Sequence, residues 1–381
     1  MHLLRVQVPE FRALKDVDIT FEKELFPKVF PLGSLNGGGK STLLQLIFTL
    51  LHCSDSEERQ IYLLNLLKIA KIESNSEIKT LAKIDIYHEG EIVCLEFICL
   101  RNVFSEEPSD KLAELISNIE EEQNIRQVCK ISWTQYERES LFCYVEGMIG
   151  TQISLFLSNL SSKVFLAAPP TQVFLFLERD DNRALFQAQK NHDSFKIHDA
   201  ILSAKSKLPG FFTYDFVSVD LILEAFQKAI NLDFKEYLET GNYGENVNKL
   251  ISEYNLLLLD KQIALIPDES GKLTKIAFKL NSNNGKTINL GPEDFSHGEL
   301  KRLSIYSWIK NCNMTDAIVL MDEIEIALHP DWQYQIVNDL VEWSPGNQYI
   351  LATHSYELCQ ALTPAHVKEI EPRLLKQSAN S

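Results

Sequence analysis

Three short stretches bring together residue types suited to handling phosphate. The first is "NGGGKST", which comprises Asn36, Gly37, Gly38, Gly39, Lys40, Ser41 and Thr42. Consecutive glycines are costly to order, because each loses more backbone freedom on folding than any other residue. A phosphate anion offsets that cost when backbone N–H groups converge on it with no Cβ in the way. Lys40 could then reach the β- and γ-phosphates of a nucleotide, and Ser41 could ligate Mg²⁺. The strict pattern wants glycine at position 34, where this chain has Ser34, with Gly33 one residue earlier. The second stretch, "AIVLMDEIEIALHP", ends an apolar run with Asp322 and Glu323. Adjacent carboxylates at the end of a buried strand are expensive unless they hold a metal or a water. Asp322 would hold Mg²⁺, directly or through water, and Glu323 would polarise an attacking water. The third, "YILATHSYEL", sets His354 just past another apolar run. Strand ends of a parallel sheet are where ligands collect, so His354 is a candidate donor to a γ-phosphate.

A fourth stretch, "FSHGELKRLSIYSWIKN", places Ser296, His297, Gly298 and Glu299 before an amphipathic helix. A hydroxyl, a glycine backbone and a helix N-terminus together make an anion site. The chain already has one phosphate loop, so a second site is expected to complete that of a neighbouring molecule. The His-Asp pairs in "NHDSFKIHDA", His192-Asp193 and His198-Asp199, lack the further ligands a metal phosphohydrolase needs. A solvated helix is expected there.

The elements that would position these residues follow from pattern. "LLRVQV" and "DVDITF" alternate as strands, with "PEFRAL" between them. "KVFPLGS" is an apolar strand leading into the glycines, and "STLLQLIFTLLHC", apolar nearly all round, is a buried helix after them. Strand, glycine-rich turn and helix is the context a phosphate loop requires. Residues 54–80 are polar with a helical pattern. "AKIDIYHEGEIVCLEFICL" predicts a hairpin turning at Glu89-Gly90, and "EEPSDKLAELISNIEEEQN" an exposed acidic helix or loop. "QVCKISWTQY", "LFCYVEG" and "KVFLAAPPTQVFLFL" predict further strands. The pattern turns helical from about 181 to 260, and "KQIALIPDESGKLTKIAFKLN" predicts a hairpin at Ser270-Gly271. No internal repeat or low-complexity tract interrupts the chain.

Composition narrows the classes. With 381 residues and 45% hydrophobic content, the chain can bury a sizeable core. Its formal charge of -16 argues against a generally basic nucleic-acid binder. The seven cysteines are scattered, without a CxxC pair, which fits reduced thiols in a cytoplasm. The N-terminal apolar run is short and broken by Arg5 and Pro9, unlike a signal peptide. No stretch is apolar for the roughly 18 residues a membrane span needs. A cytoplasmic protein without a membrane segment is expected.

Together the motifs resemble the ABC-type ATPases of the SMC/RecF/OLD group. Residues 36–42 look like the end of Walker A, and "FSHGE" looks like a variant of the "LSGGE" signature. "VLMDEIEIALHP" looks like Walker B running into an "E-x-x-LHP" segment, and "ATHS" looks like the H-loop. "FRALKDVDITF" looks like the group's opening strands, and Gln172 in "APPTQVFLF" is a candidate Q-loop residue. The resemblance covers about residues 1–50 and 285–360, with signature, Walker B and H-loop in the family order.

The resemblance implies an α/β fold: a P-loop ABC-type ATPase head with a mixed sheet, an antiparallel β lobe and a helical insertion. Residues 1–180 and 261–381 would form the two parts of the head, and 181–260 the insertion. It implies ATP and Mg²⁺ as ligands. Two heads would sandwich two nucleotides, with Ser296, Gly298 and Glu299 serving the partner's nucleotide, so a homo-oligomer is expected. The stretch after His354 is too short for the TOPRIM nuclease domain of OLD nucleases, and no sustained heptads supply coiled-coil arms. Stand-alone ATPases of this kind resemble the ATPase subunits of bacterial anti-phage systems, Septu-type first and PARIS-type second. A partner nuclease of HNH or TOPRIM type encoded nearby is therefore implied, with DNA contact only in the complex. The alternative is a RecF-like DNA-repair ATPase acting directly on DNA, which the acidic charge disfavours. A dead scaffold is disfavoured by the presence of Lys40, Asp322, Glu323 and His354, and a transporter subunit by the "LHP" segment and the long middle insertion.

Overall fold

Alternating and continuous apolar runs sort the strands into separate sheets. The computed structural model describes residues 1–34, 37–70, 78–103, 125–132, 137–170, 201–214, 219–258, 260–267, 269, 273–281, 287–291 and 294–370. They fall into two compact units: Met1–Thr213, Thr315–Ile324 and Pro345–Ser381 in the first, Tyr214–Met314 and Glu325–Ser344 in the second.

In the first unit, strand β1 (His2–Phe11) folds back on β2 (Leu14–Thr20). The strands run further into "PEFRAL" than the sequence suggests, because Phe11 pairs with Leu14 across a two-residue turn and Arg12 takes φ 54°. Pro9 is tolerated because pairing with the next strand stops at Gln7, so its missing N–H costs no ladder bond there. β3 (Val29–Gly33) leaves this hairpin and enters another sheet. β4 (Ile78–His88) and β5 (Glu91–Val103) turn at Glu89-Gly90, as expected, with φ of 50° and 97°. Positive φ at both positions matches the right-handed twist of a hairpin. β6 (Ile125–Ser132) and β7 (Glu137–Val145) complete an antiparallel sheet in the order β2-β1-β4-β5-β7-β6.

The second sheet of this unit is parallel in every described pair. It contains β3, β8 (Val164–Ala168), β9 (Phe211–Thr213), β13 (Ile318–Asp322), β14 (Gln348–Ala352) and β15 (Lys368–Glu369), in the order β15-β3-β14-β13-β8-β9. Every residue of β8, β13 and β14 is buried, which is why they read as unbroken apolar runs rather than alternations. Helix α1 (Lys40–Cys53) is buried along nearly its whole length. α2 (Gln60–Ala70) lies where a polar stretch was expected, yet Tyr62, Leu63, Leu66 and Leu67 are buried. α3 (Gly150–Lys163) is a helix the strand-rich reading of its surroundings does not anticipate. Its buried Ile153, Phe156, Leu157 and Leu160 follow helical spacing. Among the described residues no helix is long and apolar enough to cross a membrane.

Two buried histidines tie this core to pH. His52 stacks on Phe48 at 4.6 Å, and its Nδ1–H donates to the Ser161 carbonyl at 2.7 Å. Burial, then the charge of Arg59, pushes its pKa from 6.5 down to about 3. Burial, then Lys28, pushes His2 down to about 4. Unfolded histidines protonate near pH 6.5 while these stay neutral, so stability is intact above that pH and lost as pH falls towards 4. The slope reaches about 1.4 kcal/mol per pH unit for each histidine. Thermal melts at pH 7.5, 5.5 and 4.5 should show a falling Tm. The fall should be shallower in His52→Gln, which keeps a donor for Ser161 but cannot charge.

In the second unit, helices α4 (Val219–Thr240) and α5 (Glu245–Leu257) form a hairpin. Fully buried Asp233 fixes its turn by accepting from the Asn246 and Val247 N–H groups at 2.7 and 3.1 Å. A three-stranded antiparallel sheet follows in the order β10-β11-β12, formed by β10 (Lys261–Pro267), β11 (Leu273–Asn281) and β12 (Thr287–Leu290). The Ser270-Gly271 turn lies outside the described residues. α6 (His297–Asn311) and α7 (Pro330–Trp343) complete the unit. Tyr254 anchors its core, packed on Phe226 and Tyr306 with its hydroxyl 2.8 Å from the Ser307 Oγ.

Candidate functional site

The site residues of the first unit sit at the C-terminal ends of three neighbouring parallel strands, β3, β14 and β13. β3 ends at Gly33 and α1 begins at Lys40. Of the loop between them, Asn36 lies outside the described residues. Gly37 and Gly39 take φ of 80° and 91°, a backbone conformation glycine adopts without strain. A Cβ on Gly39 would also lie 2.6 Å from Leu14 Cδ2, so this position is closed to side chains twice over. No side chain caps α1, which leaves the N–H groups of its first turn to a ligand.

Lys40 is buried at the start of α1. Its Nζ donates to the Ser34 carbonyl and Oγ, each at 3.1 Å, and lies 2.9 Å from His354 Nε2. An ammonium can only donate, so His354 accepts on Nε2 and carries its own proton on Nδ1. Beside Lys40, the Ser41 hydroxyl donates to Asp322 Oδ1 at 3.1 Å. Asp322 is buried as the last residue of β13. Glu323 turns the chain out of the strand with φ 49°, uncommon for a residue with a side chain, and its N–H donates to the Ala352 carbonyl of β14 at 2.9 Å. Past β14, Ser355 caps the short helix α8 (Tyr356–Gln360) by accepting from the Leu358 N–H at 2.9 Å. That cap holds the His354 turn in place.

The sequence therefore nominated Lys40, Ser41, Asp322, Glu323 and His354 from three distant stretches, and the fold gathers them at one end of one sheet. Thr42 lies within α1, a step further from the loop. Gln172 lies outside the described residues. Ser34 was legible only as a departure from glycine. Its hydroxyl and carbonyl are what hold Lys40, and the one signal for it was a hydroxyl at the position where the strict pattern has none.

The residues present fit Mg²⁺ and a polyphosphate. Ser41 and Asp322 offer two hard oxygen donors side by side, Lys40 is the fixed cation, and the glycines leave the loop open to an anion. Among the described residues no three His, Cys, Asp or Glu side chains converge as a metal cluster. A cation at Ser41 and Asp322 would complete its shell with water and phosphate oxygens, as Mg²⁺ commonly does.

The signature-like stretch belongs to the second unit. Ser296 caps α6 in a reciprocal box: Glu299 N–H donates to Ser296 Oγ at 3.3 Å, and Glu299 Oε2 accepts from the Ser296 N–H and hydroxyl at 2.8 and 3.0 Å. The other Glu299 oxygen pairs with Lys261 Nζ. Ser296 and His297 are exposed at the helix N-terminus, while Phe295 is buried edge-on against Phe278. A Cβ on Gly298 would lie 2.7 Å from the Ala327 carbonyl and 3.1 Å from Trp332, so packing alone requires glycine there.

A glycine loop joining a parallel strand to a helix, with lysine, serine and a strand-end aspartate around it, is the arrangement of a P-loop. Residues 170–360 match the family model described as "AAA domain, putative AbiEii toxin, Type IV TA system". That is half of the chain, and the chain belongs to this AAA-domain family. Among curated proteins it is 45% identical over 53 residues to "Retron Vc95 probable ATPase" of Vibrio cholerae serotype O1 biovar El Tor, covering 14% of this chain and 10% of that protein. It is 38% identical over 50 residues to "Retron Ec83 probable ATPase" of Escherichia coli, covering 13% of this chain and 9% of that protein. The matched segments thus span about a tenth of those relatives' length. Among solved structures the chain is similar to an Smc head bound to the C-winged helix domain of ScpA, with 14% identity, 95% of this chain and 92% of that chain covered, and a TM-score of 0.45. It is also similar to the SMC head domain from Thermotoga maritima, with 11% identity, 95% and 92% covered, and a TM-score of 0.41.

Proposed function

We propose that this chain hydrolyses ATP, that two copies pair around the nucleotide, and that the pair controls a separate nuclease in a bacterial anti-phage complex in the cytoplasm. The observation that carries the ATPase reading is the convergence of Lys40, Ser41, Asp322, Glu323 and His354 at three adjacent strand ends. Lys40 would exchange its bonds to Ser34 and His354 for phosphate oxygens, and His354, released from Lys40, would donate to the same phosphates in the tautomer that carries its proton on Nε2. Ser41 and Asp322 would hold Mg²⁺, which when bound would supply charge neutralisation on the phosphates. Glu323 orients a water and accepts its proton. Membership of the AAA-domain family supports ATP turnover.

The finer parts rest on other supports. Ser296 stands exposed at the N-terminus of α6, which suits contact with a neighbour's phosphates. The family description names a toxin of a toxin–antitoxin system and two relatives are named as retron ATPases, which supports a place in a defence system of several components. A Septu-type system with an HNH nuclease is the first choice and a PARIS-type one with a TOPRIM nuclease the second. Any DNA contact would then arise in the complex.

Mixing inactive variants tests the shared site. Lys40→Ala removes one copy's loop function, and Ser296→Arg sets a bulky cation where the neighbour's phosphate would lie. A composite pair keeps one intact site, from the Ser296→Arg chain's loop and the Lys40→Ala chain's α6. Phosphate release is expected from the mixture and from neither variant alone. No recovery at any ratio would count against shared sites. Co-purification with a nuclease encoded beside the chain tests the partner.

A further inference from the structure

Helices α4 and α5 and the C-terminal end of α6 border a groove of about 660 Å³ in the second unit. Each long helix gives it one stripe at helical spacing: residues 225, 228, 229, 232 and 235 from α4, and 246, 249, 250 and 253 from α5. The floor is apolar, made by Ala225, Ala229, Leu232 and Leu250. Leu232 is 54% exposed, although lysines surround it.

The rim carries Lys228, Lys235, Lys249 and Lys310, with Glu253 as the one carboxylate among the lining residues. In a chain of net charge -16, that concentration of positive charge runs against the rest of the composition. Two of the lysines are engaged within the unit. Lys228 donates to the Asn311 carbonyl at 3.0 Å and lies 3.4 Å from Glu224, and Lys310 lies 3.8 Å from Glu253. Glu253 also accepts from the Tyr306 hydroxyl at 2.5 Å, so its charge is held inside the wall. Lys235 and Lys249 are exposed, and neither has a hydrogen bond or ion pair among the described residues.

A nucleic-acid strand would satisfy the rim and not the floor. Its phosphates gain nothing from Ala225, Ala229 and Leu232. A helical or extended segment with apolar residues on one face and carboxylates beside them satisfies both. We propose that this groove docks an acidic amphipathic segment of a partner polypeptide, its apolar side chains on the Ala225–Ala229–Leu232 floor and its carboxylates against Lys235 and Lys249. The groove uses none of the residues assigned to the nucleotide and does not require the partner to be a nuclease. The same helical hairpin exposes Tyr237 and Tyr243, edge to face at 6.3 Å, beside its turn, which extends the surface available to such a partner.

The test uses the full chain and fluorescence anisotropy with three labelled probes. These are a Leu/Glu amphipathic helix about four turns long, a poly-Glu peptide of equal charge, and an oligo-dT strand. The amphipathic helix should bind the wild type best. Lys235→Glu combined with Lys249→Glu should weaken it by about tenfold or more, and Leu232→Ser by a smaller factor. Both variants should keep the wild-type rate of ATP turnover and an unchanged thermal melt, because these side chains are exposed and none of them is among the residues assigned to the nucleotide. Absence of binding by the amphipathic helix would overturn the proposal, as would equal binding by the double variant or by poly-Glu. Tighter binding of oligo-dT, lost in the double variant, would make the groove a nucleic-acid site and also overturn it.

Discussion

The Glu323→Gln protein should bind ATP as tightly as the wild type and hydrolyse it about a thousandfold more slowly. The substitution changes one oxygen for an amide nitrogen and leaves the backbone untouched. The Glu323 N–H still donates to Ala352, so the turn out of β13 should survive with its φ of 49°. Lys40, Ser41 and Asp322, which are assigned to binding, are unaltered. What is lost is the carboxylate's capacity to accept a proton from water. A fall in kcat with KM unchanged is the signature of a group acting only in the chemical step. Calorimetric titration and phosphate release separate the two quantities. Wild-type turnover by Glu323→Gln would remove Glu323 from the mechanism.

How much of this was legible in the sequence depended on how local each signal was. The phosphate loop was legible because its signal lies within a few residues: an apolar strand, the glycines, Lys40 and an apolar helix. The ends of β13 and β14 were legible because each is an apolar run broken by a polar pair. Their adjacency to β3 was not, since spacing along a chain says nothing about strand order. Only the fold shows that Lys40 meets His354 and that Ser41 meets Asp322. The reason for Gly298 was hidden for a similar cause. Its constraint comes from Ala327 and Trp332, residues remote in sequence that close on it in space. Glu299 was nominated for a nucleotide; within its own unit its carboxylate holds Ser296 and Lys261. The S-x-x-E spacing is the local signal of that capping box. α3 escaped because a short amphipathic helix between strands shares its apolar content with them, and only the period separates the two.

Removing the Lys40 charge should weaken ATP binding by about a hundredfold or more, the worth of a charge-assisted contact to phosphate in a buried site. The ammonium is buried, and in this structure it is held by Ser34 and His354 rather than by solvent. Its desolvation is therefore already complete before a nucleotide arrives, and exchange of a carbonyl and a hydroxyl for anionic oxygens is a net gain. Among the residues gathered at the strand ends Lys40 is the fixed cation, and Asp322 and Glu323 would repel the phosphates without it. Lys40→Ala leaves a gap at the start of α1, so a loss of binding in that variant alone could reflect a collapsed loop. Lys40→Met keeps most of the stem and removes only the charge. Both variants should lose affinity to the same extent in calorimetric titration with ATP and Mg²⁺, while thermal melts report whether α1 still packs. If Lys40→Met retains affinity within about threefold of wild type, the charge is not what binds phosphate and the loop is not a nucleotide site. If only Lys40→Ala loses binding, the lysine acts through its packing, and the cation for the phosphates must come from elsewhere.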